Sequence, residues 1–155
     1  MKEKAGDRAD SGRPDRIMGL DFGDRRIGVA LSDPLGVSAQ PLLTLERSSW
    51  KADLGRIREL ALTHAVARIV VGLPLGMDGS RGERVRITED FMARVKKATG
   101  LAVDPWDERL TTVQAERALL EGDVSRRRRR QVIDRLAATI LLQAYLDSRR
   151  AGGAA

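Results

Sequence analysis

The stretch MGLDFGDRRIGVALSD, residues 18–33, decides how this chain folds. Residues 16–22 (RIMGLDF) and 26–32 (RIGVALS) are short apolar runs broken by Gly23-Asp24, which predicts two strands joined by a tight turn. The first strand heads into a core yet carries a carboxylate, Asp21, at its end. Gly19, Gly23, Gly28, Arg25 and Arg26 lie close around it in sequence. Glycine lets a backbone come near a ligand, and a carboxylate at a buried strand end needs a compensating partner.

Outward from this hairpin, PLLTLE (41–46) reads as a third strand with Pro41 at its head. Residues 51–66 place Leu54, Ile57, Leu60 and Ala61 at helical spacing. ARIVVGLP (67–74) is a β-branched run with nothing polar after Arg68, as expected of a parallel strand buried on both faces. The loop GLPLGMDGS (72–80) follows, and then an amphipathic helix from Gly82 to Lys97, closed by Gly100. LAVDPWDE (101–108) is a shorter strand whose Pro105 suits a strand end. Thr111 and Gln114 form a capping box for a helix ending near Gly122, and Ser125 caps the last helix through residues 131–150. The resulting order, β-β-β-α-β-α-β-α-α, predicts an α/β fold. Its mixed five-stranded sheet combines an antiparallel meander with parallel strands and is flanked by helices.

At 155 residues, with 42% hydrophobic and 32% charged positions, the chain suits one domain, expected over 16–150. The charged segment 1–15 and the short end 151–155 are expected to be disordered tails. The first residues hold no apolar signal segment, and no run nears the roughly 20 apolar residues of a membrane span. A cytoplasmic location without membrane contact is expected. With no cysteine and a single histidine, His64, a metal would be held by oxygen, which favours Mg2+ or Mn2+. Aromatics at 3% argue against base-stacking platforms. Arg126, Arg127, Arg128, Arg129 and Arg130 carry five of the net +6 charges. The run opens a helix, where the dipole disfavours cations, and so points to a polyanion partner.

Three acids could converge. Asp21 and Glu108 stand at the C-terminal ends of the first and last strands, where sites form in sheets with parallel strands. Asp134 shares a helical stripe with Ala137, Ala138, Leu141 and Tyr145, opposite Arg135, Thr139 and Gln143. Each acid alone could be local structure: Asp21 capping a turn, Glu108 paired with Arg109, Asp134 paired with Arg130. Together, with no histidine or cysteine to assist, they suit a divalent metal, and carboxylates with two ions about 3.5–4 Å apart hydrolyse phosphodiesters. The loop holding Gly76, Asp78 and Gly79 is either a plain connection or one whose N–H groups meet phosphate or a neighbouring nucleotide. The DFG triplet at 21–23 lacks the other kinase motifs, GDRRIGVA lacks the Lys-Ser/Thr of a P-loop, and no G-x-S-x-G elbow occurs.

Four ordered stretches, LDFGDRRIGVALSD, VVGLPLGMDGS, DERLTT and VIDRLAATILLQAYLD, resemble the YqgF/RuvX family over residues 17–147. Its members are described as pre-16S rRNA nucleases and, earlier, as Holliday junction resolvases. The resemblance implies a ribonuclease H-like fold and a metal-dependent nuclease acting in ribosome biogenesis. Asp21, Glu108 and Asp134 would be its acidic triad. Arg26, Gly23, Gly76, Asp78, Gly79, Arg109 and Arg126–Arg130 would face substrate. Family loops commonly read Leu-Asn-x-x-Gly where this chain has Gly76. The implied partner is structured RNA such as pre-16S rRNA, within ribosomal precursor particles, or branched DNA, met by a monomer or weak homodimer. A non-catalytic nucleic-acid-binding assembly factor is the alternative from another class. A module of the actin-like ATPases would need two domains, for which the chain is too short.

Overall fold

The computed structural model describes the backbone of residues 15–111 and 126–153, and side chains at 15–111 and 136–152. The tail expected over 1–15 therefore lies outside the described residues apart from Asp15, as do Gln114, Gly122 and Ser125. The elements are β1 (Arg16–Phe22), β2 (Arg26–Ser32), β3 (Ala39–Glu46), α1 (Trp50–Thr63), β4 (Val66–Leu73), α2 (Glu83–Thr99), β5 (Ala102–Asp107) and α3 (Arg126–Gly153). One sheet runs in the order β3-β2-β1-β4-β5. Its β3-β2-β1 side is antiparallel, whereas β4 joins β1 and β5 joins β4 in parallel.

Alternation along β1 divides the molecule. Met18, Leu20 and Phe22 point to one face and join Ile69, Val71, Ile57, Ala61, Phe91 and Val95 in the larger core, beneath α1 and α2. Phe22 stacks on Phe91 with ring centroids 4.1 Å apart. Ile17 points to the other face with Val70 and Ala30, where Ala138, Leu141, Leu142, Tyr145 and Leu146 of α3 cover them. Gly19 shares that face, and a Cβ there would lie 2.9 Å from Leu142 Cβ and 3.1 Å from the Ala138 carbonyl oxygen. The absent side chain lets α3 settle against β1. The Tyr145 hydroxyl donates to Asp104 Oδ2 (2.7 Å), which also pairs with Arg68 (2.7 Å), tying α3 to β4 and β5.

Local chemistry sets the ends. Ser49 caps α1 by accepting from the Ala52 N–H, and buried Asp53 accepts from Ser48. His64 is the C-terminal cap of α1, a structural position. Gly100, at φ +72°, closes α2 as expected. The third strand starts at Ala39, earlier than the apolar pattern suggests, because Gln143 of α3 accepts from the Ala39 N–H and donates to the Val37 carbonyl. Pro41 sits beside a register shift on this edge strand, where a missing N–H is tolerated.

One boundary differs from expectation. Thr111 is no N-cap: residues 109–111 are already helical, and the Thr111 N–H and hydroxyl both donate to the Glu108 carbonyl. The turn begins earlier because Asp107 Oδ1 accepts from the Arg109 N–H, taking the capping role four residues upstream of Thr111. The last helix runs to Gly153, where two consecutive glycines suit a helix end.

Candidate active site

Asp21 is half-buried near the end of β1 and stands between glycines. Gly28 of β2 is its register partner, and Gly72 of β4 follows one step after the Leu20–Val71 pair. Across β4, Gly72 pairs with Trp106 and Leu73 with Asp107, where β5 ends. The Glu108 N–H donates to the Leu73 carbonyl (3.1 Å), so the chain leaves the sheet with Glu108 turned back over β4. A Cβ on Gly72 would lie 2.6 Å from Glu108 Oε1 and 3.0 Å from its Cγ. The carboxyl occupies the space that glycine leaves open.

Asp21 and Glu108 therefore meet, and their side chains share a hydrogen bond. Burial, followed by the neighbouring Asp21 charge and that hydrogen bond, pushes the Glu108 carboxyl up to about 7. Two carboxylates cannot share a hydrogen bond without a proton between them. A divalent cation can replace that proton and relieve the repulsion, so the pair fits one on its donor chemistry.

The adjacent acid takes another path. Asp107 binds Arg109 through Nε (3.0 Å to each oxygen) and Nη2 (2.7 Å), which holds its carboxyl below its ordinary value. The pairing of Glu108 with Arg109 considered from sequence is thus corrected: the fork of Arg109 closes on Asp107. Its Nη1 reaches on to the Met77 carbonyl (3.3 Å).

The other expected residues fall in four groups. Asp134 and Arg126–Arg130 lie in α3, and their side chains are outside the described residues. Arg26, at the start of β2, is paired with Glu46 of β3 (2.9 Å) instead of with the acids. Gly23 closes the β1–β2 turn, where its N–H donates to the Arg26 carbonyl and a Cβ would lie 2.8 Å from that oxygen. Gly76, Asp78 and Gly79 form a loop beside Arg109.

Sequence reasoning missed two arginines. Arg84, in the first turn of α2, pairs with Asp24 of the β1–β2 turn, and its charge opposes the rise of the Glu108 carboxyl. Arg47 donates to the carbonyls of Gly23 (3.1 Å) and Asp24 (3.2 Å) while its guanidinium lies over the Phe22 ring. The signal available was the density of arginine in SRGERVR (80–86), immediately after the glycine loop.

The profile of the RuvX family, described as Holliday junction resolvase, matches residues 15–148. A relative from Symbiobacterium thermophilum named "Putative pre-16S rRNA nuclease" is 54% identical over 136 residues, covering 88% of this chain and 94% of the relative. A relative of the same name from Myxococcus xanthus is 51% identical over 135 residues, covering 87% and 89%. Among solved structures, T. thermophilus RuvC in complex with a Holliday junction substrate superposes with a TM-score of 0.51 at 18% identity. It covers 88% of this chain and 96% of RuvC, so the two share the fold of a ribonuclease H-like nuclease. With the family profile spanning the whole sheet and α3 nearly to its end, and relatives near half identical over the same span, the chain belongs to the RuvX family of nucleases.

Proposed function

We propose that the chain hydrolyses phosphodiester bonds in structured RNA, at the 5′ end of pre-16S rRNA, with Asp21, Glu108 and Asp134 holding Mg2+ or Mn2+. The observation that carries this reading is the Asp21–Glu108 pair, two carboxyls sharing a hydrogen bond at the C-terminal edge of the sheet. When bound there, the ion supplies Lewis acidity toward the phosphodiester and its attacking water. Asp21 is fixed by its strand and Glu108 by its N–H bond to Leu73 and its seat over Gly72, so the donors are set before substrate arrives. Arg126–Arg130, Arg26 and Arg84 supply positive charge for the flanking phosphates. The substrate rests on the names of the relatives, and the expected surroundings are ribosomal precursor particles in the cytoplasm. Among the described residues no helix is long and apolar enough to cross a membrane.

The test is cleavage of matched substrates: an RNA spanning the precursor 5′ junction and a four-way DNA junction, each with Mn2+ or EDTA. Manganese-dependent cutting of the RNA, abolished in Asp21→Asn, supports the reading. Cutting confined to the junction would transfer the activity to branched DNA, and binding without cutting of either would make the protein an assembly factor.

A further inference from the structure

The loop between β4 and α2 turns three of its N–H groups inward and carries a carboxylate and an apolar side chain at its tip. Its Gly76 N–H donates to the Ser80 carbonyl (3.0 Å), its Gly79 N–H to the Gly76 carbonyl (2.8 Å), and its Ser80 N–H to Asp78 Oδ1 (2.9 Å). These three donors are spent inside the loop, with Gly79 at φ +83° making the closure possible. Asp78 adds a negative charge, held in its ionised form by Ser80. At the centre stands Met77, 93% exposed.

A single exposed apolar side chain is ordinary. What sets Met77 apart is its support. Arg109 Nη1 holds the Met77 carbonyl (3.3 Å) while the rest of that guanidinium is clamped on Asp107. Asp107 is the residue before Glu108, and Glu108 bonds to Leu73 at the base of the same loop. The loop tip and the catalytic carboxyl are therefore braced on one three-residue segment, 107–109. Leu110, 57% exposed, continues the segment with a second apolar side chain.

We propose that Met77 is a wedge that packs against a nucleobase flanking the scissile phosphate and holds it out of its stack, with Arg109 as the positioning residue. Apolar side chains, methionine included, insert between base steps and unstack them. The polarizable thioether adapts to any base face. A strand whose phosphates are held by the arginines and whose scissile group lies at Asp21 and Glu108 would present its next base toward this tip. The anionic Asp78 keeps the phosphate from sliding into the same place. The inference rests on the nuclease reading above and extends it to how a paired substrate is opened.

The test uses a hairpin RNA with 2-aminopurine paired beside the mapped cut, together with its unpaired counterpart. In the inactive Asp21→Asn background, in EDTA, binding should raise 2-aminopurine fluorescence about threefold. Adding Met77→Ala should abolish that rise while affinity changes less than about threefold, and Met77→Leu should restore it. Arg109→Ala should also abolish the fluorescence rise. In the active protein with Mn2+, Met77→Ala should lower kcat/KM on the hairpin by about 10–100-fold and on the unpaired strand by less than about threefold. Undiminished fluorescence in Met77→Ala, or equal losses on both RNAs, would overturn the wedge while leaving the nuclease standing. Failure of the wild type to cut either RNA overturns the nuclease reading itself.

Discussion

Glu108→Gln isolates the cost of the carboxyl pair. In the metal-free protein Glu108 is pushed up to about 7 from an ordinary 4.5, by burial first and the Asp21 charge second. At about 1.4 kcal/mol per tenfold, its ionised form is disfavoured in the fold by about 3 kcal/mol. The folded protein keeps a proton that the unfolded chain has already lost. Stability therefore falls as pH rises from about 4.5 to about 7 and stays at the lower value above that. Glutamine has nearly the same shape and does not titrate. In EDTA the variant should match the wild type near pH 4 and exceed it by up to about 3 kcal/mol at pH 8. For a domain of this size that is on the order of 5–10 °C in melting temperature. Saturating Mn2+ should close the gap by stabilising the wild type, by about 2.7 kcal/mol at a hundredfold excess over Kd, while the variant responds little. Thermal melts at pH 4, 6 and 8, each with EDTA or Mn2+, measure every part of this. A variant less stable than wild type at pH 8 in EDTA, or a gap that does not vary with pH, would refute the reasoning.

Gly72→Ala places a methyl 2.6 Å from Glu108 Oε1 and 3.1 Å from Leu141 Cδ2. It should cost roughly 1–3 kcal/mol in a denaturant melt, the usual range for overpacking, and remove most Mn2+-dependent cleavage. Arg84→Gln removes the charge that restrains Glu108, so more Mn2+ should be needed for half-maximal activity at pH 7 and the requirement should ease as pH rises. Replacing three of Arg126–Arg130 with glutamine should lower the slope of log affinity against log salt by about 2 on a single strand, at roughly 0.7 per phosphate contact. An unchanged slope in a salt titration would return the run to a solvated face.

Much of this arrangement was legible because it rests on periodicity. The ranges of β1 and β2 follow from two apolar runs and the glycine between them. Burial of β4 on both faces follows from its unbroken β-branched core, and the proximity of Asp21 and Glu108 follows from both standing at strand ends on the same edge. What escaped depends on contacts between distant segments. The third strand begins at Ala39 through two bonds to Gln143, more than a hundred residues away. Arg109 turns to Asp107, and Arg84 reaches Asp24, because of where backbones cross, which no local pattern encodes. The cap at Asp107 is not legible locally, because Thr111 and Gln114 match a capping box whether or not a helix has already begun.

The direction of α3 bears on the role proposed for the arginine run. Tyr145 bonds to Asp104, which pairs with Val70 of β4, whereas Leu141 lies against Gly72, two residues farther along β4. Two strand residues rise about 6.6 Å and four helical residues about 6 Å, so α3 runs back along the sheet as β4 runs forward. Continued toward the helix start, that register is the geometric basis of the proposal that Asp134 joins Asp21 and Glu108. Arg130 is four residues before Asp134 and Arg126 eight, about 6 Å and 12 Å farther along the helix axis. Those lengths are comparable to the spacing of one or two phosphates along a strand. A cluster of like charge at a helix start is unfavourable on its own, as is a carboxyl pair at a sheet edge. A polyanion and a divalent cation relieve both. In the proposed function, the charge that relieves each of them is that of a nuclease's substrate and metal.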